Sequence, residues 1–97
     1  MNMRKLLKQA QEMQEKMQRE LGETIVEASV GGGMVTAKMD GHKHLLAIKI
    51  ERDAIDPDDP SMLEDLVVAA VNEASRKMDE TLREKLGSMA AGMPGLM

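Results

Sequence analysis

The sequence predicts an α+β fold of order α-β-β-β-α, a three-stranded antiparallel meander between two long helices, and three observations carry that prediction. Apolar residues recur at helical spacing through the first 21 positions. Three short stretches rich in β-branched residues follow, broken by Gly-Gly-Gly and Asp-Gly. Helical spacing then returns from Leu63 to Leu86.

The first helix rests on Met3, Leu6, Ala10, Met13, Met17 and Leu21, whose steps of three and four residues make one apolar seam. Gly22 is the expected C-terminal stop, giving a helix of about 28 Å. The strands are expected in "TIVEASV" (24–30), "MVTAKMD" (34–40) and "HLLAIKIE" (44–51). In the second, Val35, Ala37 and Met39 share one face. In the third, Leu46, Ile48 and Ile50 alternate with Ala47, Lys49 and Glu51. Gly31–Gly33 permits a left-handed turn, and Asp40–Gly41 marks a second hairpin.

A three-stranded meander with one apolar face needs a helix to cover it. "RDAIDPDDP" leads into that helix, with Asp59 or Ser61 as its cap, Pro60 in its first turn, and Ser61 with Glu64 spaced as a capping box. Leu63, Leu66, Val67, Ala70, Val71, Ala74, Met78, Leu82 and Leu86 form its apolar stripe. Run unbroken to Leu86, the helix is about 39 Å long. A compact domain of this size has a radius of gyration of about 12–13 Å and a diameter of roughly 32 Å. One helix end should therefore project, with Leu82 and Leu86 left for a second subunit to cover. The expected layout is one domain over residues 1–86 and a flexible Gly- and Met-rich tail over 87–97.

Composition narrows the function. The 97 residues contain no Phe, Trp or Tyr, so the core rests on aliphatic residues and eleven Met, which pack adaptably but specify shape weakly. A second subunit would enlarge a thin core. With no Cys, disulfides, thiol nucleophiles and thiolate metal sites are excluded. No apolar run approaches the roughly 20 residues of a membrane span, and no signal-peptide pattern opens the chain, so a cytoplasmic protein with no membrane partner is expected. Net charge is −4, unevenly spread. Residues 1–21 carry five bases and three acids, residues 22–60 four and eight, and residues 61–97 four and six. Overall acidity argues against indiscriminate nucleic-acid binding but leaves room for a local basic tip.

No catalytic constellation emerges. His42 and His44 have the i, i+2 spacing of strand ligands, but no third ligand lies nearby, and a solvated hairpin turn is the favoured reading. "DAIDPDDP" fails as an EF-hand because Ile55 and Asp58 stand where an acid or Asn and a Gly are required. Gly31–Gly33 precedes a strand, unlike a phosphate loop, which feeds a helix. Asn72, polar within "LVVAAVNEA", reads as a buried or interfacial group fixing helix register. Nucleophile, base and pocket are nowhere combined, so no enzyme activity, cofactor, metal or small-molecule substrate is expected.

Arg4, Lys5 and Lys8 remain unexplained by packing. At a helix N-terminus each opposes the macrodipole by about 0.3–1 kcal/mol, whereas a bound phosphate backbone would be drawn to both the cations and the free N–H groups. Arg76, Lys77, Arg83 and Lys85 on the second helix are interleaved with acids, and the i, i+4 pairs Glu73 with Lys77, Asp79 with Arg83 and Glu80 with Glu84 mix attraction and repulsion, as on an ordinary solvated face.

"LLKQAQEMQEKMQ" (6–18), "MLEDLVVAAVNEASRKM" (62–78) and "GMPGLM" (92–97), placed around a short meander, resemble the YbaB/EbfC family of bacterial nucleoid-associated proteins. The resemblance implies a homodimer with protruding helical arms that binds double-stranded DNA, organises the nucleoid and modulates transcription, located in the cytoplasm and nucleoid. By position, the implied DNA-contacting residues are Arg4, Lys5, Lys8, Lys16 and Arg19 on the first helix and Arg76, Lys77, Arg83 and Lys85 on the second. The alternative is a protein-interaction module using the Met-rich helix faces.

Overall fold

A computed structural model describes residues 2–91, with side chains described to residue 88. Its elements are α1 (Met3–Glu23), β1 (Ile25–Val30), β2 (Val35–Asp40), β3 (Leu45–Ile50), a short 3-10 turn (Arg52–Ala54) and α2 (Pro60–Ala91). The expected α-β-β-β-α order is present, and the strands form one antiparallel sheet in the order β1-β2-β3.

Register explains the core. Val26 lies opposite Met39, Ala28 opposite Ala37 and Val30 opposite Val35, so the apolar positions of β1 and β2 share one face. α2 lies across that face. Ala70, Ala74 and Met78, at successive helical turns, are fully buried against Val26, Ala28, Val35, Ala37 and Met39. Alanines on both layers allow close approach of helix and sheet, and Met78 fills the space that remains. Leu63, Leu66, Val67, Val71 and Leu82 flank this core. Leu82, expected on the projecting end, thus belongs to the packed part, while Leu86 is exposed.

β3 receives little cover. Ile48 and Ile50 pair with Ala37 and Val35 and so share the core-facing side, but only Ile48 is half-buried. A bulge opposite Lys38 and Met39 pairs them with Ala47 and Leu45, which leaves Leu46 as the extra residue and breaks the alternation expected of this strand. Leu45 and Leu46 are 46% and 48% exposed.

Both hairpin turns have specific chemistry. Gly31, Gly32 and Gly33 all adopt positive φ, at 63°, 68° and 94°, the left-handed region that glycine enters freely. A Cβ at Gly31 would lie 2.9 Å from Leu66 Cδ2, so the helix passes close above this turn. At the other end of the sheet the nearly buried Asp40 organises residues 40–44. Its Oδ1 accepts the backbone N–H of His42 at 2.9 Å and of His44 at 3.0 Å. The His44 N–H, opposed by partial burial and joined by the His42 N–H and the charges of both rings, holds the Asp40 carboxyl below its usual range.

Element ends differ from expectation in instructive ways. α1 continues through Gly22 to Glu23 and stops where Thr24 turns extended, its N–H bonded to the carbonyls of Glu20 and Leu21. α2 is capped by Asp59, whose carboxylate accepts the Met62 N–H at 3.4 Å and the Ser61 hydroxyl at 2.8 Å. Ser61 thus donates to the cap residue, leaving that role to Asp59. α2 runs through Gly87 to Ala91, about 48 Å by helical rise. Residues 92–97 of the expected tail lie outside the described residues. Asn72 is exposed on the helix surface and outside the core.

The molecule is far from compact. Its radius of gyration is 19.1 Å and its extents are 69 × 27 × 15 Å, against the 12–13 Å radius expected of a compact domain. The excess comes from helices that leave the sheet, and it follows from packing: α2 outruns the strands it covers, and α1 has no buried residue at all.

Two outcomes check this packing. Met78→Ala, which opens a cavity under α2, should cost about 2–5 kcal/mol in urea unfolding. For Asp40, a folded carboxyl that titrates below its unfolded counterpart adds stability fully present above the unfolded value near pH 4 and lost as pH falls through the lower folded value. Thermal melts should therefore show Asp40→Asn less stable than the parent at pH 7, with the gap closing in acid; a gap constant with pH would contradict this role.

Candidate nucleic-acid interface

α2 passes Gly31 at Leu66 and then follows the sheet to its opposite end, where Asp79 meets Lys43 and Lys85 meets Thr24. α1 joins the sheet at that same end, through Thr24 and the Asp40–His44 turn. Met17 and Leu21 of α1 face Leu82 and Leu86 of α2 across an open apolar cleft of about 270 Å³, with Glu20, Thr24 and Lys85 at its margin. Both helical arms thus depart from one pole.

On α1 the five predicted cations share a face. At 100° per residue, Arg4, Lys5, Lys8, Lys16 and Arg19 fall within about 120° of arc, centred roughly 160° from the Met/Leu seam. All five are exposed. Glu12 and Glu15 fall in the same arc, so the purely basic stretch is the Arg4–Lys8 end. There Asn2 caps the helix, its Oδ1 accepting the Arg4 N–H at 3.1 Å. Sequence reasoning passed over this cap, although an Asn just ahead of the first apolar-periodic residue is its signal. Lys16 lies 4.0 Å from Glu20, a weak exposed i, i+4 pair. Among the described residues, Arg4, Lys5, Lys8 and Arg19 have no ion-pair partner.

The second set of cations is occupied. Arg76 grips Glu73 through Nη2 at 2.6 Å and Nε at 3.1 Å, and reaches Glu80 at 3.2 Å. The bond to Glu73 pushes the guanidinium above its usual range, and reciprocally Arg76 lowers the Glu73 carboxyl. Lys77 donates to the Glu27 carbonyl at 2.7 Å, pinning α2 to β1. Lys85 donates to Thr24 Oγ1 at 2.7 Å, and that hydroxyl donates in turn to the Glu20 carbonyl. Arg83 is exposed and has no ion-pair partner among the described residues. The expected pairs Glu73 with Lys77 and Asp79 with Arg83 are absent: Glu73 takes Arg76, and Asp79 takes Lys43 at 2.5 Å.

Acid gathers at the other pole. Residues 51–65 contain Glu51, Asp53, Asp56, Asp58, Asp59, Glu64 and Asp65 against Arg52 alone. Glu51 N–H bonds the Met34 carbonyl beside the glycine turn, which fixes this segment at the end of the sheet away from the arms. His44 is exposed, and His42 is exposed apart from its bond to Gln18. No group of three or more metal-ligating side chains gathers among the described residues, and no helix among them is long and apolar enough to cross a membrane.

The sequence matches the YbaB/EbfC DNA-binding family over residues 1–93. It is 44% identical to a nucleoid-associated protein of Chloroflexus aurantiacus over 99% of each chain. It is 46% identical to a nucleoid-associated protein of Alkaliphilus metalliredigens over 98% of this chain and 88% of the relative. The fold is similar to the crystal structure of an uncharacterised protein from Helicobacter pylori, with a TM-score of 0.71, 20% identity, and coverage of 92% of this chain and 97% of that one. The chain belongs to the YbaB/EbfC DNA-binding family, a family of DNA-binding proteins and not of enzymes.

Proposed function

We propose that this chain binds duplex DNA as a homodimer, mainly through phosphates gripped by the basic ends of α1, and so contributes to nucleoid organisation and to the regulation of gene expression. The observation that carries the reading is the segregation of charge: unpaired cations on the far end of α1, acids at the opposite pole. A net charge of −4 is then no obstacle, because residues 51–65, with seven acids against Arg52 alone, stand away from the end offered to DNA.

Dimerisation is supported by what one chain leaves bare. Met3 is 70% exposed and Met13 63%, while Leu45, Leu46 and Ile50 line an edge strand that α2 does not cover. Exposed apolar surface of this extent marks an interface. Two copies also double the phosphate contacts without making either copy basic. The named relatives are nucleoid-associated proteins, which favours the nucleoid as the place of action.

The cations divide into ranks. Arg4, Lys5 and Lys8 are the principal contacts, Arg19, Lys16 and Arg83 secondary ones. Arg76, Lys77 and Lys85 serve the fold first.

If the three principal cations of both copies are engaged, about 6 phosphates are neutralised, and log affinity should fall against log salt with a slope of about −5. Gel-shift titration of an Arg4→Ala, Lys5→Ala, Lys8→Ala variant should show this slope collapse, whereas Arg76→Ala should change it little. No binding by the parent at low salt, or unchanged binding in the triple variant, would overturn the reading. A protein partner retained stoichiometrically after nuclease treatment would favour the interaction-module alternative.

A further inference from the structure

We propose that the Asp40–His44 turn is a bracket that sets the direction of the α1 arm, with Gly41 and His42 as its positioning residues. The inference rests on the DNA-binding reading only for its consequence, the placing of the basic tip.

Three consecutive residues of the turn each tie one helix. Gly41 N–H donates to the Leu21 carbonyl at 2.8 Å. His42 Nε2 bonds the Gln18 carbonyl at 3.1 Å. Lys43 Nζ pairs with Asp79 of α2 at 2.5 Å. Leu21 and Gln18 are one turn apart on α1, so the first two ties hold one face of the helix at two heights and resist its tilting. The third anchors the same turn to the core-packed helix. A carbonyl only accepts, so Nε2 carries the hydrogen in this bond.

The turn is built to hold this shape. Asp40 accepts both His N–H groups, its own N–H bonds the His44 carbonyl, and Lys43 sits at φ 64°. Gly41 is buried with no space above it. A Cβ there would collide with the Leu21 backbone, its carbonyl carbon and Cα each 3.0 Å away. Only glycine lets α1 come this close.

Leverage makes the bracket matter. From Gln18 to Arg4 the helix rises about 21 Å, so a tilt of about 10° at the bracket moves the cations by roughly 4 Å, more than the length of a hydrogen bond. No buried side chain of α1 opposes such a tilt. Within one chain the turn therefore shares the grip on direction only with the Lys85–Thr24–Glu20 bonds at the very end of the helix.

Because the chain has no Cys, two introduced cysteines accept spin labels cleanly. Gln9→Cys on α1 and Glu27→Cys on β1, in full-length protein diluted with unlabelled chain and without DNA, report the arm's direction by pulsed EPR. The parent should give one narrow distance distribution. His42→Ala and Gly41→Ala should shift or broaden it by roughly 4 Å, and His42→Gln, which keeps an N–H donor, should restore much of the parent's width. Distributions unchanged in both alanine variants, with far-ultraviolet circular dichroism showing them folded, would overturn the proposal. Should Gly41→Ala fail to fold, the exposed His42→Ala decides alone. As DNA is absent, this result stands whether or not the chain binds it. Salt-dependent gel shifts on the same His42 variants then read the consequence: weaker binding in His42→Ala, recovered in His42→Gln.

Discussion

One helix lies over a sheet of three strands, and most of the molecule follows from that shortage of cover. α2 seals β1 and β2 with a core of alanines, two valines and two methionines, and nothing wider is available in a chain without aromatic residues. β3 stays open at Leu45, Leu46 and Ile50, while α1 buries nothing of its own. A single chain thus leaves much of its apolar surface uncovered. The helices that the sheet cannot hold become arms, and the cleft between Met17, Leu21, Leu82 and Leu86 marks where they part. A long helix is stable in such a position only if its apolar seam is covered, since isolated helices in water are marginal.

Charge is arranged on the same frame. Several cations near the sheet are already engaged: Lys77 to β1, Lys85 to Thr24, Lys43 to Asp79, and Arg76 within α2 between Glu73 and Glu80. Those farthest from it, at the start of α1, have no such work. The gradient from an acidic glycine-turn pole to a basic arm tip would orient the molecule toward a polyanion before contact.

Much of the fold was legible because period and burial agree. The stripe from Leu63 to Leu82 and the alternation of Val35, Ala37 and Met39 each meet a single partner surface, and the three glycines sit where only positive φ closes the turn. What escaped depends on tertiary geometry. Gly22 and Gly87 do not end their helices, because Thr24 supplies one stop and nothing packed nearby forces the other. The bulge at Leu46 has no local signal. The α2 ion pairs follow reach and competition: Lys77 and Lys43 find partners on other elements, so i, i+4 arithmetic mispaired Glu73 and Asp79. At the candidate interface, the residue types were legible but not their occupation. Nor was His42, whose partner is 24 residues away.

The proposed dimer requires a second copy to supply the apolar cover that one copy lacks. Sedimentation equilibrium of the purified chain at micromolar concentration tests it directly. The expected result is twice the chain mass of 10.7 kDa, reduced to a single chain when Met13→Lys and Leu6→Lys place charge on the α1 seam. A folded monomer of 10.7 kDa for the parent chain would contradict it.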